Sequence, residues 1–216
     1  MNFDQQREIA ERLGVANRFD QATEAQRRIR FLADYARTAS CRSLVLGISG
    51  GVDSLAAGLL AQHAAASLRD VGYSIQFIAV RLPYGKQADE DDAQKALEVI
   101  SPDRVVTIDI KPAADATLDG VKREASDLLE QTRLDFHLGN IKARQRMVAQ
   151  YALAGTTRGL VIGTDHAAEA VWASIPNSAT APPISCRSRA SRNGACERSQ
   201  RISVHRMIWS SRSRPP

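Results

Sequence analysis

The sequence has no apolar run long enough to cross a membrane and no apolar signal segment at its start. A membrane-spanning helix needs about 20 consecutive apolar residues, and no stretch of the 216-residue chain approaches that length. The first residues, Met1 to Arg7, lack the apolar core of a secretion signal. We therefore expect a cytoplasmic protein with no membrane partner, and its ordinary share of hydrophobic residues, 44%, allows one domain with a sizeable core.

Cysteine is also scarce, since Cys41, Cys186 and Cys196 are the only three. Their spacing matches no metal-binding motif, and an odd number of cysteines does not build a disulfide framework. The sequence therefore predicts reduced thiols that bind no metal.

Acidic residues are nearly missing from the last part of the chain, and this changes the meaning of the net charge of +5. Residues 172–216 contain eight arginines and one acid, Glu197, so they carry +7 and leave −2 for residues 1–171. A nucleic-acid-binding domain would carry its basic charge on its folded part. We therefore expect no nucleic-acid partner.

Strand-like and helix-like segments alternate along most of the chain. Short apolar runs predict strands at 43–48, 74–80, 104–110 and 159–163, and helical patterns lie at 4–13, 21–38, 55–66, 88–100, 113–131 and 139–154. Four consecutive acids at 89–92 suit the first turn of their helix, where its dipole favours negative charge. The alternation predicts an α/β domain over residues 1–171, with a doubly wound parallel sheet and helices on both faces. Residues 172–216, rich in serine and arginine and without periodicity, are predicted to be disordered or poorly packed.

Residues 47–54, Gly-Ile-Ser-Gly-Gly-Val-Asp-Ser, lie between the first strand and the following helix and predict an anion-binding loop. Glycines let backbone amides converge, serines add hydroxyl donors, and the helix start contributes unpaired N–H groups. The loop lacks both the Gly-Lys-Ser/Thr of the mononucleotide P-loop and the Gly-x-Gly-x-x-Gly of dinucleotide-binding folds. A glycine-rich turn without a ligand is the alternative, and the six-residue pattern in this position disfavours it. This loop and residues 163–169 both follow strands, so they should share the carboxyl edge of the sheet.

The pattern Ser-Gly-Gly-x-Asp-Ser at 49–54 resembles the signature of the ATP pyrophosphatase, or PP-loop, superfamily. Segments 81–87, 139–147 and 163–170 are similar, in order and approximate spacing, to stretches of ammonia-dependent NAD synthetases. The resemblance implies an adenine nucleotide alpha hydrolase-like, Rossmann-like fold. It implies a ligase that uses ATP and Mg²⁺ to amidate deamido-NAD with ammonia through an adenylate, with release of AMP and pyrophosphate. It also implies a homodimer with the deamido-NAD site near the interface, which the helices between 113 and 154 would form.

The resemblance also assigns roles to individual residues. Asp53, Ser49 and Ser54 match catalytic positions, and Asp53 and Glu169 match the Mg²⁺ ligands. Arg144 matches a deamido-NAD contact, and a guanidinium is suited to bidentate recognition of a phosphate or carboxylate. The positions that match ATP contacts are Gly47, Ile48, Ser49, Gly50, Gly51, Val52, Asp53, Ser54, Arg81, Gln87 and Thr164.

Asp53 has a physical reason for binding a cation that is independent of the resemblance. A carboxylate beside a triphosphate is repelled unless a cation lies between them. Without the surrounding motifs, Asp53 would be interpreted as a helix cap, Glu169 as a solvated first-turn residue and Arg81 as a surface residue.

Three further residues in the matching segments are not assigned to the site. Lys142 and Arg146 should lie on a different side of their helix from Arg144, because residues two apart do not share a helix face. His166 is interpreted as a structural loop residue, because the family's chemistry needs no histidine base.

The resemblance stops at Trp172. Codons for residues 172–216, read one nucleotide out of register, permit a family-like sequence that includes the segments KFGDG and KIPTA. A single-base deletion before the Trp172 codon would therefore account for the tail, which would be frameshifted and truncated. Because the family places further substrate contacts after Glu169, we expect this chain to have impaired synthetase activity.

Two other functions remain open at this point. A tRNA-modifying PP-loop enzyme would use the arginine-rich tail on RNA, although such enzymes usually add cysteine pairs or a basic RNA-binding domain, and the sequence has neither. A non-catalytic ATP-binding or dimer-forming remnant would also fit the altered tail.

Overall fold

A computed structural model describes residues 20–85 and 90–164, together with Glu8 and the backbone of residues 201–203. Strands and helices alternate through this part of the chain. The strands are β1 (Ser43–Gly47), β2 (Gln76–Arg81), β3 (Arg104–Thr107), β4 (Gly159–Gly163) and β5 (Arg201–Ser203). The helices are α1 (Gln21–Thr38), α2 (Val52–Asp70), α3 (Glu90–Ile100), α4 (Lys111–Glu124) and α5 (Leu134–Thr156), with two short 3₁₀ helices, Ser126–Leu128 and Gln131–Arg133, between α4 and α5.

The five strands form one sheet in the order β3-β2-β1-β4-β5, and every neighbouring pair is parallel. β1 is the central strand, so β2 and β4 flank the loop that leaves its carboxyl end. This arrangement confirms the predicted α/β fold with a parallel sheet. β5 is the only segment after residue 164 that the structure describes, and the sequence predicts no strand there. The prediction that residues 172–216 are disordered or poorly packed otherwise falls on residues that the structure does not describe.

Alternate residues of the central strands point to two separate apolar cores, one on each face of the sheet. The first core contains Leu44, Leu46 and Phe77, which pack with buried residues of α1, α2 and α3. The second contains Val45 and Ile78, together with residues from α5 and from the segments that follow β2 and β3. Helices therefore cover both faces, as the alternating pattern predicts.

Local sequence features explain where α1 and α4 begin. α1 starts after Asp20, whose carboxylate accepts a hydrogen bond from the amide of Thr23 at 2.7 Å. Hydrogen bonds from the side chain and the backbone amide of Thr23 lower the pKa of Asp20. α4 starts at Lys111, whose amide donates to Asp109 at 2.9 Å, and Pro112 lies in its first turn, where a missing amide proton costs nothing.

Several predicted boundaries are wrong. The helix predicted over 113–131 ends at Glu124, because Leu118 is its last buried residue and little packing stabilises a longer helix. The strand predicted over 104–110 ends at Thr107, and the helix predicted over 139–154 begins earlier, at Leu134. The helix predicted over 4–13 lies outside the described residues except for Glu8, which is helical. None of the helices in the described ranges is long and apolar enough to span a membrane.

Candidate functional site

The loop between β1 and α2 lies at the carboxyl edge of the sheet, where parallel α/β folds bind ligands. The amide of Ile48 donates to the carbonyl oxygen of Val80 at 2.9 Å, so the loop begins in register with β2. Beyond Ile48 the chain turns outward, and Ser49 and Gly51 are exposed. The backbone of the predicted phosphate loop is therefore accessible from solvent.

Gly50 occupies a position that only glycine fills without strain. Its φ is +87°, and a Cβ there would lie 3.0 Å from the amide nitrogen of Ala93 in α3. A side chain would thus adopt an unfavourable backbone conformation and also collide with the main chain of a neighbouring helix. The loop is consequently packed against the start of α3.

The first turn of α2 presents backbone donors next to this loop. Gly51 is the N-cap and its C=O accepts from the amide of Leu55 at 3.1 Å, while no side chain caps this end. The first amides of a helix have no intrahelical acceptor, and the helix dipole adds positive potential. Asp53 lies in this turn and is exposed. The geometry suits a phosphate group, and the first turn of the helix also carries a carboxylate.

Two serine hydroxyls hold the loop in shape. Ser54 is buried, with 4% of its surface exposed, and its hydroxyl donates to the carbonyl oxygen of Gly51 at 2.9 Å. Ser54 Oγ accepts a hydrogen bond from the amide of Ser49 at 3.3 Å and lies 3.2 Å from the Ser49 hydroxyl. Ser49 Oγ in turn accepts from the amide of Gly51 at 3.3 Å. Direct phosphate contact by either hydroxyl, as the resemblance implies, requires these internal bonds to rearrange.

Arg81 is the last residue of β2 and is buried, with 6% of its surface exposed. Because Phe77, Ala79 and Arg81 alternate on one face, its side chain lies on the face covered by α2 and α3. Its Nη1 and Nη2 donate to the two carboxylate oxygens of Glu90, each at 2.9 Å. The acids at the start of α3 read in the sequence only as complements to the helix dipole, and nothing in the sequence identifies Glu90 as this partner.

Gln150 is a second residue that sequence analysis misses. Its Oε1 accepts from the amide of Gly47 at 2.9 Å, and its Nε2 donates to the carbonyl oxygen of Arg146 at 3.2 Å. A Cβ on Gly47 would lie 3.1 Å from Gln150 Oε1, so a larger residue there would require the Gln150 amide to shift. The only signal in the sequence is a polar residue on a partly buried helix face, which does not identify its partner.

Thr164 follows β4 directly, and the parallel register of β1 and β4 brings it to the edge that carries Ile48. The structure therefore brings together the loop, Arg81 and Thr164, as the sequence predicts. Gln87, Glu169 and His166 lie outside the described residues. Within the described ranges, no group of three or more His, Cys, Asp or Glu side chains is arranged to hold a metal ion.

Arg144 lies at a different place, an open groove of about 520 Å³ between α4 and α5. Its Nη1 donates to the carbonyl oxygen of Asn140 at 3.1 Å, and apolar residues such as Leu118 line the groove beside it. Arg146 instead donates to the carbonyl oxygen of Leu82 at 3.1 Å, and Lys142 Nζ lies 3.8 Å from the centre of the Tyr84 ring. These contacts confirm that Arg144 lies on a different side of α5 from its two basic neighbours.

The segment after β2 is anchored by a cluster of charged groups. The Tyr84 hydroxyl and Lys111 Nζ both donate to the carboxylate of Asp115. Hydrogen bonds from Lys111 and Tyr84 lower the pKa of Asp115, and the bond to Asp115 raises the pKa of Tyr84 and of Lys111. Backbone amides of Lys111 and Gly85 lower the pKa of Asp109. The cluster therefore fixes the chain just beyond Arg81.

Comparison with known proteins finds a match to the NAD synthase family over residues 24–173. The chain is 56% identical over 165 residues to the NH(3)-dependent NAD(+) synthetase of Burkholderia mallei, a match that covers 76% of this chain and 58% of that protein. The crystal structure of NAD+ synthetase from Burkholderia pseudomallei superposes with a TM-score of 0.72 at 54% identity, over 77% of this chain and 61% of that one. NMN synthetase from Francisella tularensis superposes with a TM-score of 0.56 at 30% identity, over 70% of this chain and 57% of that one. The chain thus spans less than two thirds of these relatives, and the family match ends within two residues of Trp172.

Proposed function

The chain belongs to the NAD synthase family, and on that premise we propose that its folded part is the ATP-binding half of an ammonia-dependent NAD synthetase. The observation that carries the proposal is the loop at the carboxyl edge of β1. The exposed residues Ser49 and Gly51, the start of α2 that no side chain caps and the glycine required beside α3 form a cradle for a phosphate group.

The reaction amidates a carboxylate in two steps. The nicotinate carboxylate of deamido-NAD attacks the α-phosphorus of ATP, so an acyl adenylate forms and pyrophosphate leaves. Ammonia then attacks the acyl carbon, AMP leaves with the electron pair of the broken bond, and a proton is lost as the amide forms. Amides of the loop and of the first turn of α2 hold the departing pyrophosphate, and those of Ser49 and Gly51 join them by leaving their serine acceptors. The protein contributes mainly orientation and charge neutralisation.

Asp53 and Glu169 would hold Mg²⁺, which neutralises the charge of the triphosphate when it is bound. The exposed carboxylate of Asp53 in the first turn of α2 fits this role, because hard oxygen donors suit Mg²⁺. Asp53 would otherwise face the phosphates of ATP without a cation between them.

The α4–α5 groove is the place for deamido-NAD and for a second copy of the chain. Arg144 lies at this groove and supplies a guanidinium for a phosphate or carboxylate. Met147 and Val148 of α5 are 41% and 52% exposed, which supports burial of this helix in a homodimer. The protein would act in the cytoplasm on small molecules.

The tail sets a limit on the activity of this particular chain. The family match ends at residue 173, which agrees with a reading frame that changes at the Trp172 codon. The missing contacts orient deamido-NAD against ATP, so their loss lowers the rate by orders of magnitude while binding of Mg-ATP persists.

The test measures pyrophosphate release and NAD formation from Mg-ATP, deamido-NAD and ammonium, for this chain and for a chain with the restored frame. We expect strong activity only after restoration, and an inactive restored chain would contradict the proposal. Nicotinate mononucleotide, the mononucleotide counterpart of deamido-NAD, serves as a competing substrate, because one structural relative is an NMN synthetase. A tRNA filter-binding assay at two salt concentrations tests the RNA-modifying alternative.

A further inference from the structure

Glu90 is the one acidic residue of the α3 first turn with a bidentate ion pair among the described contacts. Its carboxylate binds Nη1 and Nη2 of Arg81 at 2.9 Å each, and two parallel bonds fix the plane of the guanidinium. A single hydrogen bond would leave that plane free to rotate.

The two partners differ in burial, and the difference shows which one depends on the other. The Arg81 side chain is 7% exposed, whereas that of Glu90 is 59% exposed. A buried guanidinium needs a compensating charge, while an exposed carboxylate has water as an alternative partner. Arg81 therefore depends on Glu90 for its charge balance and its orientation.

Among the described contacts, Arg81 keeps N–H groups that Glu90 does not use. A guanidinium carries five N–H groups, and Glu90 takes two of them. The residue also lies next to Val80, whose carbonyl oxygen binds the amide of Ile48 at the start of the loop. The remaining donors thus lie one strand away from the phosphate loop, at the same edge of the sheet.

The first turn of α3 reaches the loop itself as well. A Cβ on Gly50 would lie 3.0 Å from the amide of Ala93 and 3.2 Å from the carbonyl carbon of Asp92. One helical turn therefore contacts the phosphate loop with its backbone and holds Arg81 with the side chain of Glu90.

We propose that Glu90 is a positioning residue of the nucleotide site. It orients Arg81, which resembles family residues that address the ribose or adenine side of ATP, while the loop binds the phosphates. The inference rests on the proposed function, because it requires that ATP binds at the loop. Glu90 itself does not touch ATP, so its effect must pass through Arg81.

A double-mutant cycle on Mg-ATP binding tests this, using the full chain and the variants Glu90→Ala, Arg81→Met and the double variant, with titration calorimetry as the readout. We expect each single variant to weaken binding about tenfold, the scale of one lost charge-assisted hydrogen bond. The double variant should bind no more weakly than Arg81→Met alone. Additive losses, or equal or tighter binding by Glu90→Ala, would overturn the inference.

Two further arms separate positioning from a general structural effect. Magnesium pyrophosphate, which reaches only the loop, should bind Glu90→Ala nearly as well as the parent chain, and an equal loss for pyrophosphate and ATP would overturn the inference. Glu90→Gln keeps the shape of the side chain and one acceptor, so it should recover part of the affinity even if Glu90→Ala folds poorly. Asp91→Ala removes a charge from the same turn and is the matched control.

The outcomes also distinguish the inference from the proposed function. If the parent chain binds Mg-ATP and Glu90→Ala binds it equally well, only the role of Glu90 is wrong. If the parent chain binds neither Mg-ATP nor magnesium pyrophosphate, the nucleotide site itself is wrong.

Discussion

The amide of Gly47 donates a 2.9 Å hydrogen bond to Oε1 of Gln150, so the loop after β1 is tied to α5. α5 packs on the face of the sheet opposite α2, and Gln150 is held in turn by its bond to the carbonyl oxygen of Arg146. The start of the phosphate loop is thus fixed by a helix from the other layer. This contact joins α5 to the proposed ATP site as well as to the groove that carries Arg144.

Gln150→Leu should weaken both the fold and nucleotide binding. The substitution leaves the partly buried amide of Gly47 without an acceptor, which costs about 1 to 3 kcal/mol of the free energy of unfolding. Urea unfolding measures that loss, and Mg-ATP titration measures the expected fall in affinity. Gln145→Leu is the matched control, because Gln145 lies on the same helix and bonds to Thr117 Oγ1 instead. Equal effects of the two variants would show that the Gly47 contact has no special role.

Gly50→Ala should destabilise the chain and abolish tight ATP binding. The φ of +87° costs an alanine about 1 to 2 kcal/mol, and its Cβ would also press on the backbone of α3. Gly72→Ala is the control, because Gly72 has a φ of +78° with open space around its Cβ position. Each variant loses unfolding free energy relative to the parent chain, and both share the backbone strain. The difference between the two losses therefore measures the contact of the Gly50→Ala methyl group with α3. We expect only Gly50→Ala to lose ATP binding.

The cluster around Asp115 predicts a dependence of stability on pH. Hydrogen bonds from Lys111 and Tyr84 depress the pKa of Asp115, so its contribution is present above the unfolded-state pKa and is lost as pH falls through the folded-state value. The raised pKa of Lys111 acts in the opposite sense: its contribution is present below the unfolded-state pKa and is lost as pH rises through the folded-state value.

Asp115→Asn should therefore flatten the acid side of a plot of unfolding free energy against pH. Urea unfolding between about pH 3 and pH 7 covers the range in which carboxylates titrate. Asp119→Asn removes one carboxylate from the same helix and controls for the change in net charge. An unchanged acid-side slope in Asp115→Asn would contradict the role assigned to the cluster.

Sequencing the gene across the Trp172 codon should reveal a missing base. Restoring it should raise the rate of NAD formation by several orders of magnitude, because the contacts that orient deamido-NAD return. The affinity for Mg-ATP should change much less, since the loop and Arg81 precede the altered region. An intact frame at this codon would refute the deletion hypothesis.

The sequence predicted β1, β4 and the position of the loop between β1 and α2 because their signals are local. The runs at 43–48 and 159–163 are short and apolar, and the structure places strands there. The end of α4 at Glu124 was missed, because the length of a helix depends on what its last turns pack against. Gln87 and Glu169 remain predictions of the resemblance.

The sequence by itself determined the order of strands and helices from α1 to β4, the position of the glycine-rich loop at residues 47–54, and the end of the family resemblance at Trp172. Each of these features is encoded by consecutive residues. Only the tertiary structure decided that Gln150 holds Gly47, that Glu90 holds Arg81 and that α3 requires glycine at position 50. The Gly47 pair is 103 residues apart along the chain and is joined by packing across a sheet. Such pairings depend on how layers meet in space, and no pattern of neighbouring residues encodes them.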